Sequence, residues 1–360
     1  MHRLLLSFGN GANIMSVIYP AIEPRNQEAS EQTRQHVDQL TKPLGSLGRL
    51  EQLAIELAGM TGETMPVVTP PGVLVFAADH GVAREGVSAY PQEVTAQMVL
   101  NMVHGGAGVN VFARQIGAIQ KIVDVGVAVE VEAPGVYSKR IRAGSGNMLK
   151  EAAMTADEAQ RSIAVGLEMA EAIIGEGAKV LIVGEVGIGN TTASSAILSA
   201  LTGADPEQIV GRGTGLDDAG WQRKKAVVRD VLALHRPDAT NPLDVLAKVG
   251  GLEIGAMAGA IMGAASRRVP VLLDGFIATV AALLAVRMEP LVADYLIAGH
   301  RSEEPGHDFV LQALGKEPLL SLKLRLGEGS GATLAFPIVE AATRMVREMA
   351  TFASAGVSDR

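Results

Sequence analysis

The sequence predicts an α/β protein: an open, mostly parallel sheet flanked by helices, with a small helical subdomain made from both ends of the chain. Three observations predict it. Short, wholly apolar runs alternate with helix-length stretches, as the buried strands of a parallel sheet do. Most of those runs end at a Gly beside a carboxylate or hydroxyl. Aromatics make up 3% of the 360 residues, against 48% hydrophobic residues and 41 Gly, which suits close packing of helix on sheet.

The elements follow in chain order. Residues 1–20 are expected to be an N-terminal extension, with Met15 as an alternative start and no secretory pattern in Met1–Phe8. Residues 22–36 are polar and predict a surface connection leading into a helix. Thr41–Leu50 is a turn punctuated by Gly and Pro, opening a helix whose Leu50, Leu53, Ala54, Leu57 and Ala58 share one face.

Strands are then predicted at Val73–Ala78, Lys121–Val123, Val180–Val183, Val269–Leu273 and Tyr295–Ala298. The alternation of Leu320, Leu322, Leu324 and Leu326 fits either an edge strand or a short helix, and a last helix is predicted from about Ala332 to Phe352. The resulting division is 21–65 with 335–360 as the helical subdomain and 66–334 as the large domain carrying the site.

Composition removes several function classes. The formal charge is −8, with signs interspersed and no basic stripe, which argues against nucleic acid as a partner. The longest apolar run, around Phe276–Val286, is too short to span a bilayer. There is no Cys, hence no disulfide or thiolate site, in keeping with a cytoplasmic protein. The His residues lack metal-ligand spacing, so no metal and no cofactor are expected, and Asp79-His80-Gly81 stays a weak metal or His–Asp candidate. No Gly-x-Ser-x-Gly elbow or dinucleotide fingerprint is present.

The strongest local signal is Gly184-Glu185-Val186-Gly187-Ile188-Gly189-Asn190-Thr191-Thr192, between a strand and a helix of small residues. Such a turn can gather backbone N–H groups around a phosphate, although it also reads as an ordinary capped turn. It is no Walker loop, since no Lys follows the last Gly. Gly187, Gly189, Asn190 and Thr191 are its phosphate candidates, and Glu185, useless to an anion, points to a cationic or N–H-bearing ligand alongside. Arg212 and Gly213, in Gly211–Leu216, could complete a phosphate pocket with Lys224 or Lys225, or form a solvated loop. Glu328, flanked by Gly327 and Gly329, is either a general base or an exposed residue of a capping loop.

Seven segments in fixed order carry a resemblance: TKPLGSLGRLE (41–51), ADHGVAREG (78–86), GEVGIGNTT (184–192), GRGTGL (211–216), LDGF (273–276), GHRSEEPGH (299–307) and LGEGSG (326–331). The chain closely resembles the nicotinate-nucleotide–dimethylbenzimidazole phosphoribosyltransferases from about residue 16 to its end. The resemblance implies a homodimer that moves ribose 5-phosphate from nicotinate mononucleotide to 5,6-dimethylbenzimidazole, a step of cobalamin assembly.

It further implies Glu328 as catalytic base and Glu185 as the second carboxylate. Gly187, Gly213, Lys224 and Ser302 would hold the ribose-phosphate, and Tyr90, Met98 and Leu326 the base. Tyr90 and Met98 stand where some members have Ser and Gln, which leaves the accepting base open. A different lower base, or a non-catalytic nucleotide- or base-binding protein on the same fold, are the alternatives.

Overall fold

The computed structural model describes residues 19–358; the expected N-terminal extension lies almost wholly outside them. Six strands form one parallel sheet: β1 (Pro71–Ala78), β2 (Ile119–Gly126), β3 (Val136–Ser138), β4 (Val180–Val186), β5 (Val271–Leu273) and β6 (Leu296–Ala298). Their spatial order is β3-β2-β1-β4-β5-β6. A separate parallel pair joins β7 (His300–Ser302) to β8 (Leu320–Leu324), so the leucine alternation is a strand.

The order reverses direction between β1 and β4, which puts a crevice beyond the carboxyl ends of those two strands. β1 is buried along its whole length, and its register sets Phe76 opposite Glu185. A strand flanked on both faces by helices needs apolar residues throughout, which is why these segments are continuous rather than alternating.

The helix Leu252–Ser266 shows how the small residues are used. Apart from Ser266 it is buried on every face, and it crosses the helix Ala156–Gly175 so closely that a side chain at Gly259 would strike the backbone of Ile163. Gly166 meets the backbone of Ala256 in the same way. Larger residues there would push the helices apart and open voids in the core.

Residues 22–36 are corrected: most of them belong to a helix, Gln27–Asp38, capped by the Asn26 side chain, with Ala29, Thr33 and Val37 buried. The apolar positions are few and spaced along one face, so polarity outweighed periodicity in the sequence reading. The last helix is Ser330–Glu348; it stops before Met349, and a four-residue turn of helix, Phe352–Ala355, follows separately. β3, Val-Tyr-Ser, and β7, His-Arg-Ser, carry no apolar run that could be read from sequence.

Segments from the beginning and the end of the described residues meet. Helices Gln27–Asp38, Arg49–Thr61 and Ser330–Glu348 pack together, and main-chain bonds tie Thr41 to Ala350 and Phe352 to Gln39.

Candidate active site

Glu185 lies near the carboxyl end of β4, buried, at the switch point of the sheet. The Asn190 side-chain amide donates to its Oε2. Burial, then the nearby carboxylates of Asp274, Glu253 and Glu328, push its pKa well above the usual carboxylate range.

Glu328 occupies the second Gly-rich turn and is also buried, with φ at +66°. A left-handed conformation is costly for a residue with a Cβ, and its presence here marks a turn held by its surroundings. Its Oε2 accepts the N–H of Val109 at 3.3 Å, at the start of the helix Gly108–Gln115. Burial raises the Glu328 pKa, the Val109 bond opposes that, and Asp274 adds to the rise.

The two turns interlock. A side chain at Gly184 would collide with the carbonyl of Glu328, and one at Gly327 would collide with the Glu185 carboxylate. Only glycine permits this contact, so the pattern of Gly around both glutamates has a packing cause.

A basic pocket adjoins them. Lys224 is fully buried on the helix Asp218–His235, donates to Thr191 Oγ1 at 2.8 Å, and has its pKa pulled down by burial to about 8. Gly213 passes so close that an added Cβ would sit 3.0 Å from both Lys224 Nζ and Thr191 Oγ1. The Gly213 N–H donates to Glu304 at 3.0 Å, and Ser302 Oγ accepts from the Glu304 N–H at 3.3 Å. Beside them opens a cavity of about 380 Å³ lined in part by Arg212, Gly213, Trp221, Glu304 and Arg325.

Hydrogen bonds splice the segments together. Arg325, three residues before Glu328, donates to the Gly213 carbonyl. Thr214 accepts from the Ala89 N–H, and Thr95 Oγ1 from the Ile188 N–H. The loops at 88–95, 184–192, 211–216, 302–304 and 325–331 therefore form one continuous surface.

The expected residues fall differently around it. Gly187 rests on the carbonyl of Ala78, and Gly189, at φ +103°, starts the helix Asn190–Thr202 without a side-chain cap. Thr191, Gly213, Lys224 and Ser302 surround or adjoin the basic pocket. Asn190 is turned to Glu185 instead of lining an anion site. Arg212 is drawn to Asp218, the Leu216 carbonyl and the face of Trp221, so its guanidinium lines the cavity already partnered.

Lys225 stacks on the same Trp221 and pairs with Glu207. Tyr90 and Leu326 are exposed, at 55% and 58%, with Leu326 beside Gly108; Met98 is half-buried against the core.

The sequence reading missed several members. His80 does not pair with Asp79; its Nε2 lies 2.6 Å from Glu253 Oε1, and both side chains are wholly buried. Nothing local announces that partner, 173 residues away. Arg325 and Glu304 were overlooked for the same reason, whereas Asp274 had a signal, a carboxylate before Gly at a strand end. Among the described residues no cluster of His, Asp and Glu is arranged to hold a metal ion.

A family profile described as "Phosphoribosyltransferase" matches residues 22–357. The nicotinate-nucleotide–dimethylbenzimidazole phosphoribosyltransferase of Halalkalibacterium halodurans is 54% identical over 94% of this chain and 95% of its own. The chain belongs to the nicotinate-nucleotide–dimethylbenzimidazole phosphoribosyltransferase family.

A relative of the same name from Chloroflexus aggregans is 52% identical over 94% of this chain and 96% of its own. The crystal structure of CobT from Thermus thermophilus superposes with a TM-score of 0.90 at 48% identity, covering 92% of this chain and all of that one. The family match spans both glutamate turns and the basic pocket, and no described helix is long and apolar enough to cross a membrane.

Proposed function

We propose that this member of the family transfers ribose 5-phosphate from nicotinate mononucleotide to 5,6-dimethylbenzimidazole, giving α-ribazole 5′-phosphate and nicotinate. The observation that carries the reading is the meeting of Glu185 and Glu328 beside the Lys224 pocket.

The chemistry asks little else of the protein. Nicotinate leaves as its C1′–N bond breaks, and its ring, a pyridinium in the nucleotide, takes that electron pair without needing a proton. One nitrogen of the benzimidazole bonds to C1′ while the other gives up its proton. Glu328 takes that proton; its raised pKa brings a carboxylate closer to neutral pH, where a base is effective.

Glu185, on the adjoining turn, supports positive charge developing at the ribose, by its partial charge or as an acceptor for a ribose hydroxyl. Lys224, Thr191 and the Gly213 loop hold the 5′-phosphate, and this anchoring aligns the two nitrogens across C1′. Tyr90, Met98 and Leu326 form the wall for the base. The enzyme works as a cytoplasmic homodimer without a cofactor.

The test is a two-substrate assay that follows nicotinate release, with mass spectrometry of the nucleotide formed. Release that depends on the benzimidazole, together with an α-ribazole phosphate product, supports the reading. Binding of nicotinate mononucleotide without any turnover would make the chain a binding protein.

A further inference from the structure

We infer that Asp274, anchored by His300, is a positioning residue that holds the Glu328 turn in its reactive conformation. The inference rests on the reading of Glu328 as the base and adds what sets that base in place.

The turn needs an external clamp. Helix Ser330–Glu348 begins at Gly329, which has no side chain to cap the free N–H groups of the first turn. Asp274, at the end of β5, supplies the missing cap from another part of the chain. Its Oδ2 accepts the Gly329 N–H at 3.2 Å and its Oδ1 the Ala332 N–H at 2.9 Å. One of these bonds falls on the residue directly after Glu328, whose φ of +66° has to be maintained against its own preference.

His300 holds Asp274 in turn. Its Nε2 lies 3.3 Å from Asp274 Oδ1, and each side chain is only 3% exposed. The ring is packed against Gly331, where any side chain would collide with it. The clamp thus runs from the start of β7 through Asp274 to the amides on either side of the helix start.

Asp274 also acts through its charge. The groups facing it and Glu328 are Glu185, His300 and the Val109 N–H, with His307 behind His300 and Glu253 facing Glu185 beside His80. Removing the Asp274 charge relieves repulsion on Glu328 and Glu185, so both should ionise at lower pH. A residue with a purely structural role would not move that titration.

The experiment compares D274N, H300L, H300Q, E328Q and the double variant D274N/E328Q in the nicotinate-release assay across pH. An amide at 274 sets an N–H against one of the donors that the carboxylate now accepts. D274N is expected to lose about 10²-fold in kcat, the scale of a small misplacement, with KM for nicotinate mononucleotide nearly unchanged. The acid limb of its kcat/KM profile should shift to lower pH. The double variant should be no slower than E328Q, because the two act on one proton transfer.

H300L should fall between wild type and D274N in turnover, and H300Q, which restores a donor near the Nε2 position, should recover much of the loss. Should D274N fail to fold, the His300 pair carries the same test. Normal kcat in D274N or H300L, an unmoved acid limb, or losses that multiply in the double variant would each overturn the inference. Full turnover by E328Q is a different failure, since it removes Glu328 as the base and with it the reading beneath.

Discussion

The carboxylate of Glu185 lies against the Cα of Gly327, one residue before Glu328, so two turns separated by more than a hundred residues share one packed surface. That contact joins the strand that ends the sheet's crevice to the turn that carries the second acid.

Glu328→Gln keeps the size of the side chain and removes its basicity. It is expected to fold, to bind nicotinate mononucleotide as tightly as the parent, and to lose about 10²- to 10⁴-fold in kcat. Steady-state kinetics alongside calorimetric titration separates the two effects.

The pH profile follows from the direction of the shifts. Both glutamates have their pKa raised, mainly by burial, so Glu328 becomes protonated and idle at a higher pH than an ordinary carboxylate would. The acid limb of kcat/KM should therefore lie above the usual carboxylate range and turnover should fall as pH drops through it. An acid limb near pH 4 would rule out a buried base.

Lys224→Met removes the buried ammonium and retains much of the volume. With a charged hydrogen bond worth about 1.5–3 kcal/mol, KM for the nucleotide should rise roughly 10- to 150-fold. The effect on kcat at saturating substrate should be smaller if, as proposed, Lys224 holds the phosphate and does not touch the reacting atoms.

Gly327→Ala tests the interlocking of the turns directly. Its φ of +84° and the Glu185 carboxylate both oppose a methyl group. Thermal unfolding should register a loss of about 1–3 kcal/mol, and activity should fall further than stability because both acids move. Gly45, with φ +72° and open space around it, is the control: Gly45→Ala shares the backbone strain without the collision.

Turnover in excess chelator is expected to match turnover without it. No pyrophosphate leaves in this reaction and the departing ring needs no Lewis acid, so the protein's own donors suffice. Loss of activity on adding EDTA, restored by a divalent ion, would contradict this.

Much of this protein was determined by the sequence alone. The apolar runs at Val73–Ala78 and Val180–Val183 are strands because a segment covered on both faces must be hydrophobic throughout, a property visible in a single stretch. Glycines around Glu185 and Glu328 marked both acids, since a backbone that must pass close to something has to omit its side chains.

Only the tertiary structure decided the partners. Asn190 turns to Glu185 and not to an anion; His80 finds Glu253 instead of its neighbour Asp79; and Asp274 reaches across to cap a helix that begins at Gly329. Such pairings depend on which loops the strand order brings to one edge of the sheet. Burial then forces each polar group to find a partner among whatever lies near, and periodicity along the chain holds no record of that choice.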